Sequence, residues 1–268
     1  MWHPSKTFRL FVGLSTICGF TLPFLWWKLK RNPVMWVLQT IFTSKSILGL
    51  FAIWSFCLTM AILLVILQAS KATTATRKYF HGIVVVVFTS GAVIDPDFLY
   101  LSSIVGLCFM LLLEHMRFKS IEPISTWLNS AFKTFRDEKD VGDLILTNIY
   151  LLAGVALPLW LSQDLRSGNP TVLLSGVLAV GIGDSFASVV GSKFGRLKIA
   201  STNKSVEGLI ASVLSQVAFL LVLSRLNLLS FQASLILPIT IVSAVETFTS
   251  QVDNIALPFL MYIFLNLI

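Results

Sequence analysis

From Ile47 to Leu67 the chain runs for 21 residues without one charged side chain. About 20 consecutive apolar residues in a helix span the hydrocarbon core of a bilayer. This run constrains the fold more than any other feature, because it places the chain among membrane proteins. Further apolar stretches fall at 10–27, 79–94, 98–113, 144–161, 171–190, 206–223, 228–245 and 254–268. The expected architecture is an all-α, polytopic transmembrane bundle of about nine spans. Composition excludes the soluble alternative. Apolar residues make up 56% and charged residues only 12% of the 268 positions, and mean hydropathy is +0.84. A soluble domain carries about 25% charged residues, so neither a single-core soluble enzyme nor a disordered chain fits.

The charges are unevenly distributed. The first 94 residues hold nine Lys or Arg and no acid, and all 13 acids lie from Asp95 onward. Counted over alternate loops, 14 cations fall on the side containing 1–9, 68–78, 114–143, 191–205 and 246–253, and six on the other. Cytoplasmic loops carry the excess of Lys and Arg, so the first set and the N-terminus are expected inside. The loop at 28–46, with four cations, runs against this count. Asp95-Pro96-Asp97 predicts a tight turn between two helices, since Pro and paired Asp favour turns. The net charge of +7 is read as topogenic and lipid-facing, with no nucleic-acid partner expected. Cys18, Cys57 and Cys108 lie in apolar stretches and are expected to be small buried hydrophobes without disulfides. The N-terminal run lacks a clean cleavage site and reads as an uncleaved first span.

Within the span at 171–190 lies Gly181-Ile-Gly-Asp184-Ser-Phe-Ala-Ser188. An ionised Asp at a helix centre costs roughly 2.5–3.5 kcal/mol on insertion scales and is rarely kept without a partner or a task. Asp184 and Ser188, four residues apart, are expected to share a helix face, with Gly183, Ala187 and Gly191 forming a small face beside it. Two readings follow: a packing stripe with Asp184 salt-bridged to a neighbour, or a functional acid. The insertion cost favours the second.

The next loop, 191–205, carries four cations and no acid. Its Gly and hydroxyl residues together with Lys193, Arg196, Lys198 and Lys204 suit a polyphosphate, and the helix that follows points its N-terminus at the same place. By charge alone a lipid-headgroup anchor is the better reading; the buried Asp184 on one flank and Glu207 on the other raise the functional one. No Walker pattern is present, so this is not a standard nucleotide loop. Glu207 follows directly, and the segment Glu246-Thr-Phe-Thr-Ser-Gln-Val-Asp253 crowds two carboxylates between apolar helices. Asp184, Glu207 and Asp253 make a candidate Mg²⁺-polyphosphate set, because Mg²⁺ takes a few carboxylates plus phosphate oxygens. Arg77, Lys78 and His81 form a further basic cluster, either a juxtamembrane lipid anchor or a phosphate-holding group. Residues 118–143 read as a solvated amphipathic helix and turn.

Five segments taken in order resemble the dolichol kinase family: TATRKYFH (74–81), DEKDVGDLILTNIYLL (137–152), GIGDSFASVVGSKFGR (181–196), STNKSVEG (201–208) and ETFTSQVDNIALP (246–258). The resemblance covers about residues 71–268, whereas 1–70 match in hydropathy only. It divides the chain into anchoring spans at 1–70 and a polyprenol kinase-like catalytic membrane region at 71–268. It implies CTP as phosphoryl donor, Mg²⁺ or another divalent cation, a polyprenol or dolichol acceptor, and the endoplasmic reticulum membrane with the site facing the cytoplasm. It places CTP at about Ser192 to Glu207, including Gly195 and Thr202, and makes Asp184 an essential acid. Lys204 and Ser205 take nucleotide-binding positions, and Asn203 stands where a second Lys is expected. Glu207 and Asp253 would assist catalysis, with Asp184 and Asp253 at the metal and Arg77, Lys78, His81, Ser188 and Glu246 nearby. The extra N-terminal spans of typical animal and fungal members are not seen, so the chain looks like a C-terminal half, an alternative product or a short form. A kinase for another lipid alcohol, such as phytol or diacylglycerol, or a lipid or ion transporter, are the alternatives.

Overall fold

A computed structural model describes residues 15, 19, 23, 26, 32–68, 74–122, 124–133, 143–166, 169–199, 202, 204–248 and 253–268. Among these it is helical, with no strand; Lys198 and Ser205 form one isolated bridge. The predicted span 10–27 lies almost wholly outside the described residues.

The predicted loop at 28–46 contains a helix instead, α1 (Pro33–Thr43). Asn32 starts it: its Oδ1 accepts from the N–H groups of Val34 (3.0 Å) and Met35 (3.2 Å), and Pro33 occupies the first turn. An Asn cap followed by Pro satisfies free N–H groups and presets φ, which turns a cation-flanked loop into a helix start. The uncharged run then forms α2 (Lys45–Gln68).

α3 (Thr74–Ile94) and α4 (Pro96–Phe118) form the expected hairpin around Asp95, whose Oδ1 caps α4 at the Phe98 N–H, 3.0 Å. Trp54 docks α2 onto this pair. Its indole N–H donates to Ser90 Oγ at 3.1 Å, and its ring stacks on Phe98 with centroids 5.6 Å apart. Beyond α4 the chain folds back through the amphipathic α5 (Ile124–Lys133), as the polar pattern predicts. Buried Glu114 anchors this return, pairing with Arg117 at 2.6 Å and accepting the Ile145 N–H at 2.7 Å. Met116, Ile121, Leu128, Phe132 and Ile145 close a small separate core there.

The main core surrounds a rod that is buried through its first two parts and emerges along its third. Its parts are α7 (Pro170–Leu173), a π-helical segment at Val177–Asp184, and α8 (Ser185–Phe194). The predicted uniform span at 171–190 is therefore an α–π–α composite. Residues Val177 to Gly183 are all buried, which is why the sequence here is apolar all round rather than amphipathic. α6 (Thr147–Leu161) crosses the rod at Gly176, where a Cβ would stand 2.5 Å from the Val155 Cα, while its Gly154 lies against the Asn254 carbonyl, too close for a side chain. α9 (Val206–Arg225), α10 (Ile236–Phe248) and α11 (Asp253–Asn266) complete the bundle. α10 starts later than the predicted 228, because a 3₁₀ turn at Ala233–Leu235 takes up the connection.

Four described helices are long and apolar enough to cross a membrane: 45–67, 96–118, 177–194 and 206–225. Four shorter apolar helices, at 78–94, 147–161, 233–248 and 254–266, lie among them. Cys57 is buried as expected; Cys108 is exposed, since it falls on the outer face of α4.

Candidate functional site

Successive helices bring distant polar residues to one end of the bundle, where α3 and α9 begin and α10 ends. Lys78 and His81 lie three apart on the first turns of α3 and so share a face. Both turn toward Asp184, the last residue of the π segment. Lys78 Nζ pairs with Asp184 Oδ2 and approaches its carbonyl oxygen at 3.5 Å, while His81 Nε2 stands 3.8 Å from the same carboxylate. The Lys78 and Asp184 side chains are 13% and 23% exposed, so this pair is mostly withdrawn from solvent. The partner of Asp184 thus lies 106 residues away in the chain.

The π segment is held from behind by a buried polar tie. Ser212 and Ser243 hydroxyls meet at 3.0 Å, and Gln216 Nε2 donates to Ser243 Oγ at 3.0 Å. Gly183 fits against this tie because it has no side chain; a Cβ would stand 2.6 Å from Gln216 Nε2. π turns within α-helices are frequent at functional sites, and here the widened turn ends on Asp184.

A cavity of about 400 Å³ opens beside Asp184, lined also by Ser188, Lys198, Lys204, Glu246 and Thr247. Asp184 and Ser188 share its wall, as their spacing predicts. Lys204 Nζ is held by Glu246, through the backbone carbonyl and through Oε1 at 3.3 Å. Gly208 lets α8 and α9 close on each other at the cavity floor: a Cβ there would stand 2.9 Å from the Ala187 carbonyl oxygen and 3.4 Å from the Gly191 Cα. The small face of α8 is therefore a packing face as well as a cavity wall.

The 195–205 loop is folded by its neighbours. Glu207 Oε1 accepts the N–H groups of Arg196 (3.0 Å) and Leu197 (3.1 Å). The Ile199 N–H bonds the Lys204 carbonyl at 3.0 Å, and the Val206 N–H bonds that of Leu197 at 2.9 Å. Thr202 tightens the tip, donating to the Ile199 carbonyl at 3.2 Å. Ser205 is buried and caps α9, its Oγ accepting the Gly208 N–H at 3.2 Å. Gly195 passes against Gly191 and Ser205, too close for a side chain.

Of the residues singled out in the sequence, Asp184, Ser188, Ser192, Lys198, Lys204, Ser205 and Glu246 come together at the cavity, with Lys78 and His81 behind Asp184. Glu207 does not join them, because its carboxylate holds the loop backbone. Arg196 is exposed beyond the cavity, and Lys193 lies on the outer side of α8. Asn203 and the side chains of Arg77 and Asp253 lie outside the described residues. Gly208, Leu209 and Thr247 also line the cavity and are not among the expected site residues; the signal for Gly208 and Thr247 is their place in the STNKSVEG and ETFTSQVDN segments.

Mg²⁺ is commonly held by one or two carboxylates plus substrate phosphates. Asp184 and Glu246, lining one cavity, fit a cation that arrives with a triphosphate. Among the described residues no group of three or more His, Cys, Asp or Glu converges to hold a metal by itself.

Fold and site together define a helical integral-membrane protein with a charged cavity at one end of its bundle. The dolichol kinase family model matches residues 1–203. The chain is 37% identical to the dolichol kinase of Mus musculus, over 98% of this chain and 53% of that protein. It is 33% identical to dolichol kinase EVAN of Arabidopsis thaliana (87% and 43%) and 30% identical to dolichol kinase sec59 of Schizosaccharomyces pombe (88% and 51%). The chain belongs to the dolichol kinase family. It spans about half the length of these curated relatives. The family match starts at residue 1, so the likeness extends into the first 70 residues, which match in more than hydropathy. No solved structure matches the chain.

Proposed function

We propose that the chain transfers the γ-phosphoryl group of CTP to the terminal hydroxyl of dolichol, forming dolichyl phosphate for protein glycosylation. The reaction takes place at the cytoplasmic face of the endoplasmic reticulum membrane, in a bundle of about nine spans. One observation carries the reading: in a chain of this family, Asp184, Glu246, Lys198 and Lys204 line a single cavity at the end of an apolar bundle.

Phosphoryl transfer needs positioning and charge neutralisation more than covalent help from the protein. Lys198 and Lys204 hold the triphosphate, with the Ser188 and Ser192 hydroxyls beside them. Glu207 shapes the loop that presents these cations. Asp184 and Glu246, with Asp253 as a further candidate ligand, would hold a divalent cation, which would supply charge neutralisation at the phosphates. Lys78 and His81 fix the Asp184 carboxylate at the edge where the lipid hydroxyl arrives. The hydroxyl oxygen bonds to the γ-phosphorus as the bond to the β–γ bridging oxygen breaks. CDP leaves, and the hydroxyl proton passes to a cavity carboxylate.

The test supplies γ-labelled CTP or ATP to membranes containing the chain, with dolichol, phytol or diacylglycerol. Labelled dolichyl phosphate formed from CTP is the expected result. Labelling from ATP alone overturns the donor, and labelling of phytol or diacylglycerol in preference to dolichol overturns the acceptor.

A further inference from the structure

On the outer side of α8, back to back with the polar cavity, lies an apolar groove of about 700 Å³ between α3, the rod and α9. Tyr79, Val85, Phe186, Val189, Phe219 and Val222 form its walls. Ser188 and Ser192 line both spaces, so the groove and the charged cavity share one wall. Phe186 and Val222 are 51% and 55% exposed, which leaves the groove open sideways toward lipid. Glycine keeps it wide. Gly82, one turn beyond Lys78, has nothing within 4 Å of where a Cβ would be.

A second observation points to a ligand. Ser185, next to Asp184, lines this groove, is 9% exposed, and its Oγ has no hydrogen-bond partner among the described residues. Helical Ser side chains usually satisfy themselves on a carbonyl one turn back, as Ser192 does on Val189 at 3.1 Å. A buried hydroxyl left open is costly, and native structures fill such positions with a partner.

We infer that the groove is the docking site for the hydroxyl-bearing end of the acceptor lipid, with Ser185 Oγ hydrogen-bonded to that hydroxyl. This rests on reading the chain as a lipid-alcohol kinase. The first isoprene units lie along Phe186, Val189 and Val222, and the rest of the tail stays in the bilayer. The lipid reaches the shared Ser188–Ser192 wall from one side while the triphosphate reaches it from the other. The amphipathic character of a polyprenol matches a groove that is apolar along its length and polar at one end. A bulk phospholipid, with a large charged headgroup, has no such match at Ser185.

The experiment uses membranes containing the whole chain and a polyprenol bearing a diazirine near its hydroxyl end, photolysed without nucleotide. Crosslinks are expected in residues 79–85, 185–192 and 218–222, displaced by excess unlabelled polyprenol and not by equal phosphatidylcholine. Gly82→Trp fills the groove from α3 and Ala218→Trp from α9; either is expected to abolish the crosslink. In the kinase assay both raise KM for the lipid more than tenfold and leave KM for CTP unchanged. Ser185→Ala raises the lipid KM by about tenfold, the loss of one hydrogen bond. Crosslinks displaced equally by phosphatidylcholine, or unaffected by both tryptophans, overturn the inference. Polyprenol-specific crosslinking in a chain without kinase activity supports the groove and refutes the proposed function instead.

Discussion

The Lys78–Asp184 pair offers the sharpest test of the site's construction. Lys78→Met leaves Asp184 facing His81 Nε2 at 3.8 Å, and Asp184→Asn leaves Lys78 charged beside a neutral amide. Removing one partner of a fully buried ion pair costs about 3–5 kcal/mol. These side chains are 13% and 23% exposed, so water recovers part of that loss and about 2–3 kcal/mol is expected for each single variant. The double variant removes both charges, and it should be less destabilised than the sum of the singles by about 2 kcal/mol. Stability is read from unfolding of the purified chain in mixed micelles with rising SDS, and activity from CTP-dependent lipid labelling in membranes. All three variants are expected to lose labelling, because the double restores charge balance and not the carboxylate. Additivity within about 0.5 kcal/mol would show that the pair is not coupled and that the geometry described is wrong. Labelling retained by Asp184→Asn would remove Asp184 from the chemistry.

The other expectations follow from local geometry. Glu207→Gln weakens the carboxylate's hold on the Arg196 and Leu197 N–H groups, so KM for CTP rises and proteolysis within 195–205 quickens while SDS stability is kept. Gly195→Ala puts a methyl 2.5 Å from Ser205 Oγ and onto the Gly191 carbonyl; it should displace the loop and lower labelling at least tenfold in a folded chain. Gly176→Val drives a side chain into the Val155 backbone, and is expected to reduce the yield of folded chain in detergent by size-exclusion profile. Arg166→Ala opens the pairing with Asp97 and Asp95 at the opposite end of the bundle; both KM values should stay unchanged, and a loss of activity would contradict the one-ended placement of the site.

Much of this arrangement was legible in the residues, for identifiable reasons. The hairpin at Asp95-Pro96 is written locally, since the capping carboxylate and the proline act within one turn. The face shared by Asp184 and Ser188 follows from helical spacing, and the amphipathic α5 from its polar pattern. Other features escape the sequence because local signals conflict or are silent there. Asn32-Pro33 is a helix start, yet the surrounding cations made 28–46 read as loop. The π segment has no distinct sequence signature, and no local pattern announces that its Gly183 meets Gln216 on another helix. As an acid beside a cationic loop Glu207 reads as part of a metal–polyphosphate set, and only folding turns its carboxylate onto the Arg196 and Leu197 N–H groups.

Read along the chain, the residues establish a helical membrane protein, where most of its helices run, and where its rare intramembrane acids lie. Hydrophobic transfer free energy and turn chemistry act over tens of residues or fewer, so those features can be read along the chain. Which acid meets which cation was decided by tertiary structure. Lys78 reaches Asp184 across 106 residues and Lys204 reaches Glu246 across 42, pairings set by helix packing at Gly154, Gly176, Gly191 and Gly208. No residue carries that packing alone, because each glycine matters only through the backbone or side chain that another helix brings against it.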